Sequence, residues 1–236
     1  MRMEKLNWEW LICRFVFLVL VLSTLSVIIM IIKAPSGSVP GDSEIRVKSD
    51  YSLMLLQCIL GIIAMLLPGL LEHRIHLVIP SRMMVMYALF LFAAIYLGEV
   101  KNFYFKVPNW DMILHAFSGG MLGALGFSFI VLLNNTDRVP VNMSPLFIVV
   151  FSFCFAVALG AIWEIYEYTF DGLLHLNMQK FALENGTGLI GREALADTMQ
   201  DIIVDCIGAL FTSVLGYISL IHKKGWIERL LLKIKK

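Results

Sequence analysis

Residues 145–170 read PLFIVVFSFCFAVALGAIWEIYEYTF. From Pro145 to Trp163 no residue is charged. A bilayer core of roughly 30 Å needs about 20 apolar residues as helix, so this stretch is long enough to cross one. It is continuously apolar, whereas a barrel strand would alternate apolar and polar residues, so of the two structures a bilayer permits the helix is expected. The apolar run ends on two acids, Glu164 and Glu167, three residues apart.

Outward from this stretch the pattern repeats. Spans are expected at residues 11–32, 51–71, 83–99, 111–133, 145–167 and 199–221, the first interrupted only by Arg14 and the last entered through polar residues from Asp197. The whole chain is 59% hydrophobic and 16% charged, with a mean hydropathy of +0.81. Soluble domains are roughly 45–50% apolar and about 25% charged, so a single water-soluble domain is excluded. The expected fold is an all-α, polytopic membrane helical bundle of about six transmembrane helices forming one integral membrane domain over 1–236. Leu11–Ile32 exceeds the roughly 7–15-residue core of a signal peptide, so a retained first helix is expected. A net charge of +1 removes bulk charge as a reason to bind nucleic acid.

Lys and Arg in the connections set orientation. Twelve of the nineteen lie on the side of the two termini and seven on the other. Both termini are therefore expected in the cytoplasm and the protein in the inner (cytoplasmic) cell membrane. The tail, residues 222–236, is basic. Its apolar residues Ile227, Leu230, Leu231 and Ile234 recur at helical spacing, so a short amphipathic helix on the inner leaflet is expected. Lys33–Asp50 and Asp171–Leu195 read as connections, the second with an amphipathic stretch, LLHLNMQKFA, and a glycine-rich turn, NGTGLIGRE. Cys13, Cys58, Cys154 and Cys206 lie inside apolar runs without a CxxC pair and read as small buried hydrophobes.

Ionisable groups within spans cost about 2.5–3.5 kcal/mol each on insertion scales. Here they cluster. Asp111 and His115 are four apart, Glu164 and Glu167 three apart, and Asp197, Asp201 and Asp205 follow at i, i+4 and i+8. Such spacings align side chains on one helix face. The alternation of six spans brings all these groups, with Glu99, to one membrane face, which the charge asymmetry makes the outer one. Over Asp197–Asp205 a helix rises about 12 Å, so Asp205 reaches the hydrocarbon. A carboxylate there is protonated, paired or metal-bound. Arg192 and His115 are the nearby cations on this reading, too few for six or seven carboxylates, and a divalent metal ion (Zn²⁺, Mg²⁺ or Mn²⁺) is the simplest compensation. Asp111 and Asp197 also suit a plain helix-capping role. The di-iron bundle pattern needs His three after Glu, and Glu164 has Glu167 there. Gly119 with Gly123, Ala156 with Gly160, and Gly208 supply small residues for close helix packing beside the acids.

Three motifs, FYFKVPNWDMILHAFSGG, AIWEIYEY and DTMQDIIVDCIGAL, resemble the YjdF-like family of bacterial inner-membrane proteins. The likeness rests on Phe103, Tyr104, Trp110, Asp111, His115, Ser118 and Gly119, then Trp163, Glu164 and Glu167, then Asp197, Thr198, Asp201, Asp205 and Gly208, and covers about residues 80–220. GREALADTMQDIIVDCIGALFTSVLG is also similar in outline to VanZ-like membrane proteins, through Arg192 and Asp197. That likeness implies a cell-envelope setting. Neither resemblance implies a reaction.

The function expected from the residues is a metal-dependent hydrolase or phosphoryl-transfer enzyme acting on a lipid-linked envelope substrate. His115, Glu164, Asp201, Asp205 and Asp111 would hold the metal. Glu167 or Asp197 would act as general base, and Arg192 would take a phosphate. The alternatives are a non-catalytic envelope factor and, third, an ion-coupled transporter. The expected partners are membrane lipids or a lipid-linked substrate, without nucleic acid. The sequence carries no signal for oligomeric state.

Overall fold

A computed structural model describes residues 8–35, 48–134, 142–183, 186–222, 224–226 and 230–234. The chain is an all-α polytopic bundle. Its long helices are α1 (Trp8–Lys33), α2 (Lys48–Ile75), α3 (Ser81–Leu91, continued as a π-helix over Phe92–Val100), α5 (Trp110–Asn134), α6 (Pro145–Leu174) and α7 (Arg192–Ile221), with a one-turn α4 at Phe103–Lys106. Six of these runs are long and apolar enough to cross a bilayer. Large apolar side chains line the outside, among them Leu18, Ile63, Ile165 and Phe211. That is the surface a lipid solvent allows.

The bundle has two halves. In the first, α1 packs on α2 and α3 around Val16, Leu20, Cys58, Ala88, Leu91 and Ile95. In the second, α5 packs on α7 and both pack on α6. Close backbone approach makes the second half possible. A Cβ at Gly119 would strike the carbonyl oxygen and Cα of Asp205, and a Cβ at Gly208 would strike the carbonyl oxygen of Ala116. Small residues let membrane helices meet at the backbone, where dispersion and polar contacts replace the hydrophobic drive.

Three elements differ from the sequence reading. Residues 48–50 begin α2 instead of ending a loop, and α6 runs on to Leu174, taking Asp171 into the helix. Gly98 lies in the π-helical run, and Tyr104 packs where its side chain would be. After Leu230, which is in a 3-10 turn, the described tail is extended: Lys233–Ile234 form β2, an antiparallel partner of β1 (Leu77–Val78) in the α2–α3 connection. Leu232 is buried and its N–H donates to the Ser128 hydroxyl. A single turn of helix leaves its N–H and C=O groups without internal partners, and pairing with β1 satisfies some of them. Arg2, Lys5, Arg46, Arg138, Lys223, Arg229, Lys235 and Lys236 from the orientation count lie outside the described residues, as does Ile227.

Gly208→Val is expected to destabilise the α5–α7 pair by about 1–3 kcal/mol or more, since backbone atoms cannot yield as side chains do. A lowered midpoint of thermal unfolding in detergent, against an unchanged or raised midpoint for Gly69→Ala, whose Cβ meets nothing within 4 Å, checks it.

Candidate functional site

Helices α5 and α7 begin at one end of the bundle and α6 ends there. Their acids meet at that end around one imidazole. His115 is 6% exposed, and Glu164 (4%), Asp201 (1%) and Asp205 (3%) are equally enclosed. The His115 Nδ1 lies 3.2 Å from Asp205 Oδ2, and the Ser118 hydroxyl donates to Asp205 Oδ1 at 3.2 Å. Nε2 is on the opposite side of the ring from this contact. There one oxygen each of Asp111, Glu164 and Asp201 stands at 3.8, 3.9 and 3.9 Å from Nε2. Neither oxygen of Glu164 nor of Asp201 makes a hydrogen bond. Buried polar atoms are normally paired, so these four oxygens, one from each acid turned toward the same ring nitrogen, form a donor set that a cation would complete.

The spacing suits a metal ion. Bonds of about 2.0–2.2 Å from nitrogen and oxygen put neighbouring donors roughly 3–4 Å apart. One donor atom each from Asp111, His115 and Asp201 lie within 4.8 Å of one another, so small side-chain movements would close the set. Asp205 stands apart from that set, on the Nδ1 side.

The remaining sequence candidates are placed as follows. Glu167 is buried and accepts the indole N–H of Trp163 at 2.9 Å. Asp197 Oδ1 pairs with Lys180 Nζ at 3.3 Å, and its Oδ2 is buried without a hydrogen bond. Arg192 is exposed at the first residue of α7 and makes no described contact with the cluster. The cation at the mouth is Lys180, which the sequence reading passed over. Its ammonium pairs with Asp111 Oδ2 and Asp197 Oδ1 and lies 5.6 Å from the centre of the Tyr104 ring. Burial opposes the Lys180 charge, but Asp111 and Asp197 outweigh it and raise its pKa above the usual 10.5. The pairing is thus complete below that ordinary value and is lost only as pH rises through the raised one. Burial first, then the charges of Asp111 and Glu99, push the Tyr104 phenol well above its usual range.

A second missed residue is Asp171, 6% exposed, whose carboxylate accepts the backbone N–H groups of Met178 (2.8 Å) and Gln179 (3.0 Å). It anchors the 175–191 loop, and the Gln179 amide adds a bond to Thr198 at 2.8 Å. Past it, Asn177 brackets Ala182, and Leu183 and Leu189 close a small hairpin onto Thr187 and Phe181. Lys180 sits in this loop at φ 46°, a left-handed conformation that disfavours a side chain. The fold thus holds a strained residue with its ammonium over the site. The ExxExxxD spacing of Glu164, Glu167 and Asp171 was the available signal for Asp171. Lys180 had only its place in the loop at this face.

Fold and site together define a multi-pass helical membrane protein with a buried carboxylate–imidazole cluster. Residues 14–222 match the family described as predicted membrane protein (DUF2238), and the chain belongs to it. It is similar to an "Uncharacterized protein" of Thermotoga maritima, 29% identical over 164 residues, which cover 69% of this chain and 76% of that one. No solved structure matches it.

Asp171→Ala leaves two part-buried N–H groups without their acceptor, a loss of at most about 1–3 kcal/mol each. The 175–191 loop should become cleavable by an added protease under conditions that leave the native chain whole. Cleavage sites mapped by mass spectrometry check this.

Proposed function

We propose that the chain is a cell-membrane protein with both termini cytoplasmic, which holds a divalent metal ion at its outward end and uses it to hydrolyse a lipid-linked substrate. The observation that carries this reading is the pair of enclosed acids, Glu164 and Asp201, with no hydrogen bond and each within 3.9 Å of His115 Nε2. In this reading Asp111, His115, Glu164 and Asp201 hold the metal. Asp205, taken from the sequence as a ligand, orients the ring, as carboxylate partners of metal-bound histidines do. One imidazole among carboxylates favours Zn²⁺ or Mn²⁺ over Mg²⁺, which prefers all-oxygen, hydrated sites.

A metal of this kind lowers the pKa of bound water and so supplies a nucleophile near neutral pH. Asp197, at the open edge with a free oxygen, is better placed than Glu167 to accept a proton, since Glu167 is held by Trp163. Arg192, exposed at the start of α7, serves at most to meet a substrate headgroup outside the cluster. The motif likeness to YjdF-like and VanZ-like proteins supports an envelope setting and leaves the reaction open.

Transport fits less well. Buried Ser128, Ser152, Ser213 and Ser219 make the far halves of α5–α7 less apolar than their sequence reads. Yet Phe127, Ile130, Val131 and Ile148 close that end, with Leu220 and Leu231 packed on them. A purely structural metal is not needed to join α5 to α7, because Gly119 and Gly208 already do so through backbone contact.

Elemental analysis of protein purified without chelator is expected to give one Zn or Mn per chain. His115→Ala and Asp201→Asn should lose it while eluting as folded protein, and Asp205→Asn should weaken affinity about 10–100-fold. Wild-type protein free of metal, and unable to bind added Zn²⁺ or Mn²⁺, would end this reading. For the reaction, envelope lipid extract in detergent is incubated with metal-loaded protein and with Glu164→Gln. A hydrolysed species seen by mass spectrometry only with the former is expected.

A further inference from the structure

One metal ion leaves the charge at this end unbalanced. Glu167 and Asp171 are answered by N–H donors and Asp205 by His115 and Ser118. Of the cluster acids on α5–α7, Asp111, Glu164, Asp197 and Asp201 remain. Two cation positions serve them. The first is the space beside His115 Nε2. The second is already filled: Lys180 Nζ stands between Asp111 Oδ2 and Asp197 Oδ1.

Asp111 joins the two positions. Its Oδ1 faces His115, and its Oδ2 is on Lys180. Asp201 lies one turn along α7 from Asp197 and is 1% exposed. It turns Oδ2 toward His115 and keeps Oδ1 unpartnered. Asp197 Oδ2 is likewise buried and unpartnered. A carboxylate shared between adjacent cation positions, with further free carboxylate oxygens on both sides, is the donor arrangement of two-metal centres, whose ions lie about 3.5–4 Å apart. Here the second position receives an ammonium delivered by a loop rather than by a helix. Its occupant can leave without unpacking the bundle.

We infer that Lys180 fills a second cation seat, so that the native centre is one metal ion plus one tethered ammonium, and that removing the ammonium opens this seat to a second divalent ion. This rests on the metal reading above. It goes beyond it in assigning the seat's ligands, Asp111 Oδ2 and Asp197, and its ligand class, a divalent cation.

The test uses full-length protein in detergent, equilibrated with Mn²⁺ and freed of excess. Metal per chain is counted by mass spectrometry, and coupling between ions is read by electron paramagnetic resonance. Wild type and Lys180→Arg are expected to hold one Mn²⁺ with an isolated-ion spectrum. Lys180→Met is expected to hold two, with a spin-coupled spectrum, and adding Asp197→Asn to it should return the count to one. Lys180→Gln supplies the same count if the Met variant does not elute as folded protein. One ion per chain in wild type and in both neutral variants overturns the second seat and leaves the metal reading standing, as does a count of two already in wild type. No ion in any protein overturns the metal reading itself.

Discussion

The Asp205 side chain is the constraint on which this end of the molecule depends. Its two oxygens are taken by His115 Nδ1 and the Ser118 hydroxyl, both on α5. Its own backbone on α7 lies where a Cβ of Gly119 would be. From the third helix, a Cβ at Gly160 would come within 2.5 Å of Oδ2. One buried acid thus fixes the distance among three helices and the orientation of the imidazole at their centre. Any larger residue at positions 119 or 160 would move Asp205, and with it the direction in which Nε2 points. The other three carboxylates are arranged about that direction.

Burial gives this geometry its energetic weight. In a medium of low dielectric an unpaired carboxylate is far more costly than in water. Glu164 and Asp201 are enclosed and lack hydrogen bonds, so they are a poor choice for packing alone. Leucines there would hold the helices at lower cost. Acids kept at such positions imply a positive or proton-bearing occupant. The same reasoning separates Asp171 from the others: it is as buried, but two backbone N–H groups meet it. Its role is to hold a loop, and no ion is required.

Six apolar blocks, their alternation across the bilayer and the gathering of acids at one face were legible in the sequence, because length, composition and helical spacing determine them. Which atom of each acid faces which partner was not. Asp111 and Asp205 sit on the same faces as the other acids, but side-chain direction sends Asp205 to Nδ1 and Asp111 to both Nε2 and Lys180. Lys180 was hidden for a different reason. It lies in a loop shaped by Asp171 and Asn177, and contacts across 69 residues, as between Lys180 and Asp111, leave no periodic trace. Over 231–234 the tail is extended, with Lys233–Ile234 paired to β1 and Leu232, outside the helical spacing, buried against Ser128 of α5. Periodicity identifies an apolar face and is silent on what covers it.

The two ends of the α5–α7 half are built on opposite principles, and this limits what the protein can do. The site end is polar and its edge is partly open, with the side chains of Lys180, Asp197 and Asp111 at 24%, 21% and 16% exposure. The far end is closed by Phe127 seated against Gly216 and by the apolar cluster of Ile130, Val131 and Ile148. Under the proposed function, a substrate would meet the cluster from the polar side and leave by the same side. The edge itself is acid–base paired, with one ammonium among carboxylates. A strongly anionic group would have to displace Asp111 and Asp197 from Lys180 and approach further acids behind them. A neutral ester or amide linkage meets no such opposition. Under the proposed function, the edge would admit an uncharged linkage more readily than a phosphoryl group, because Lys180 is already paired with Asp111 and Asp197.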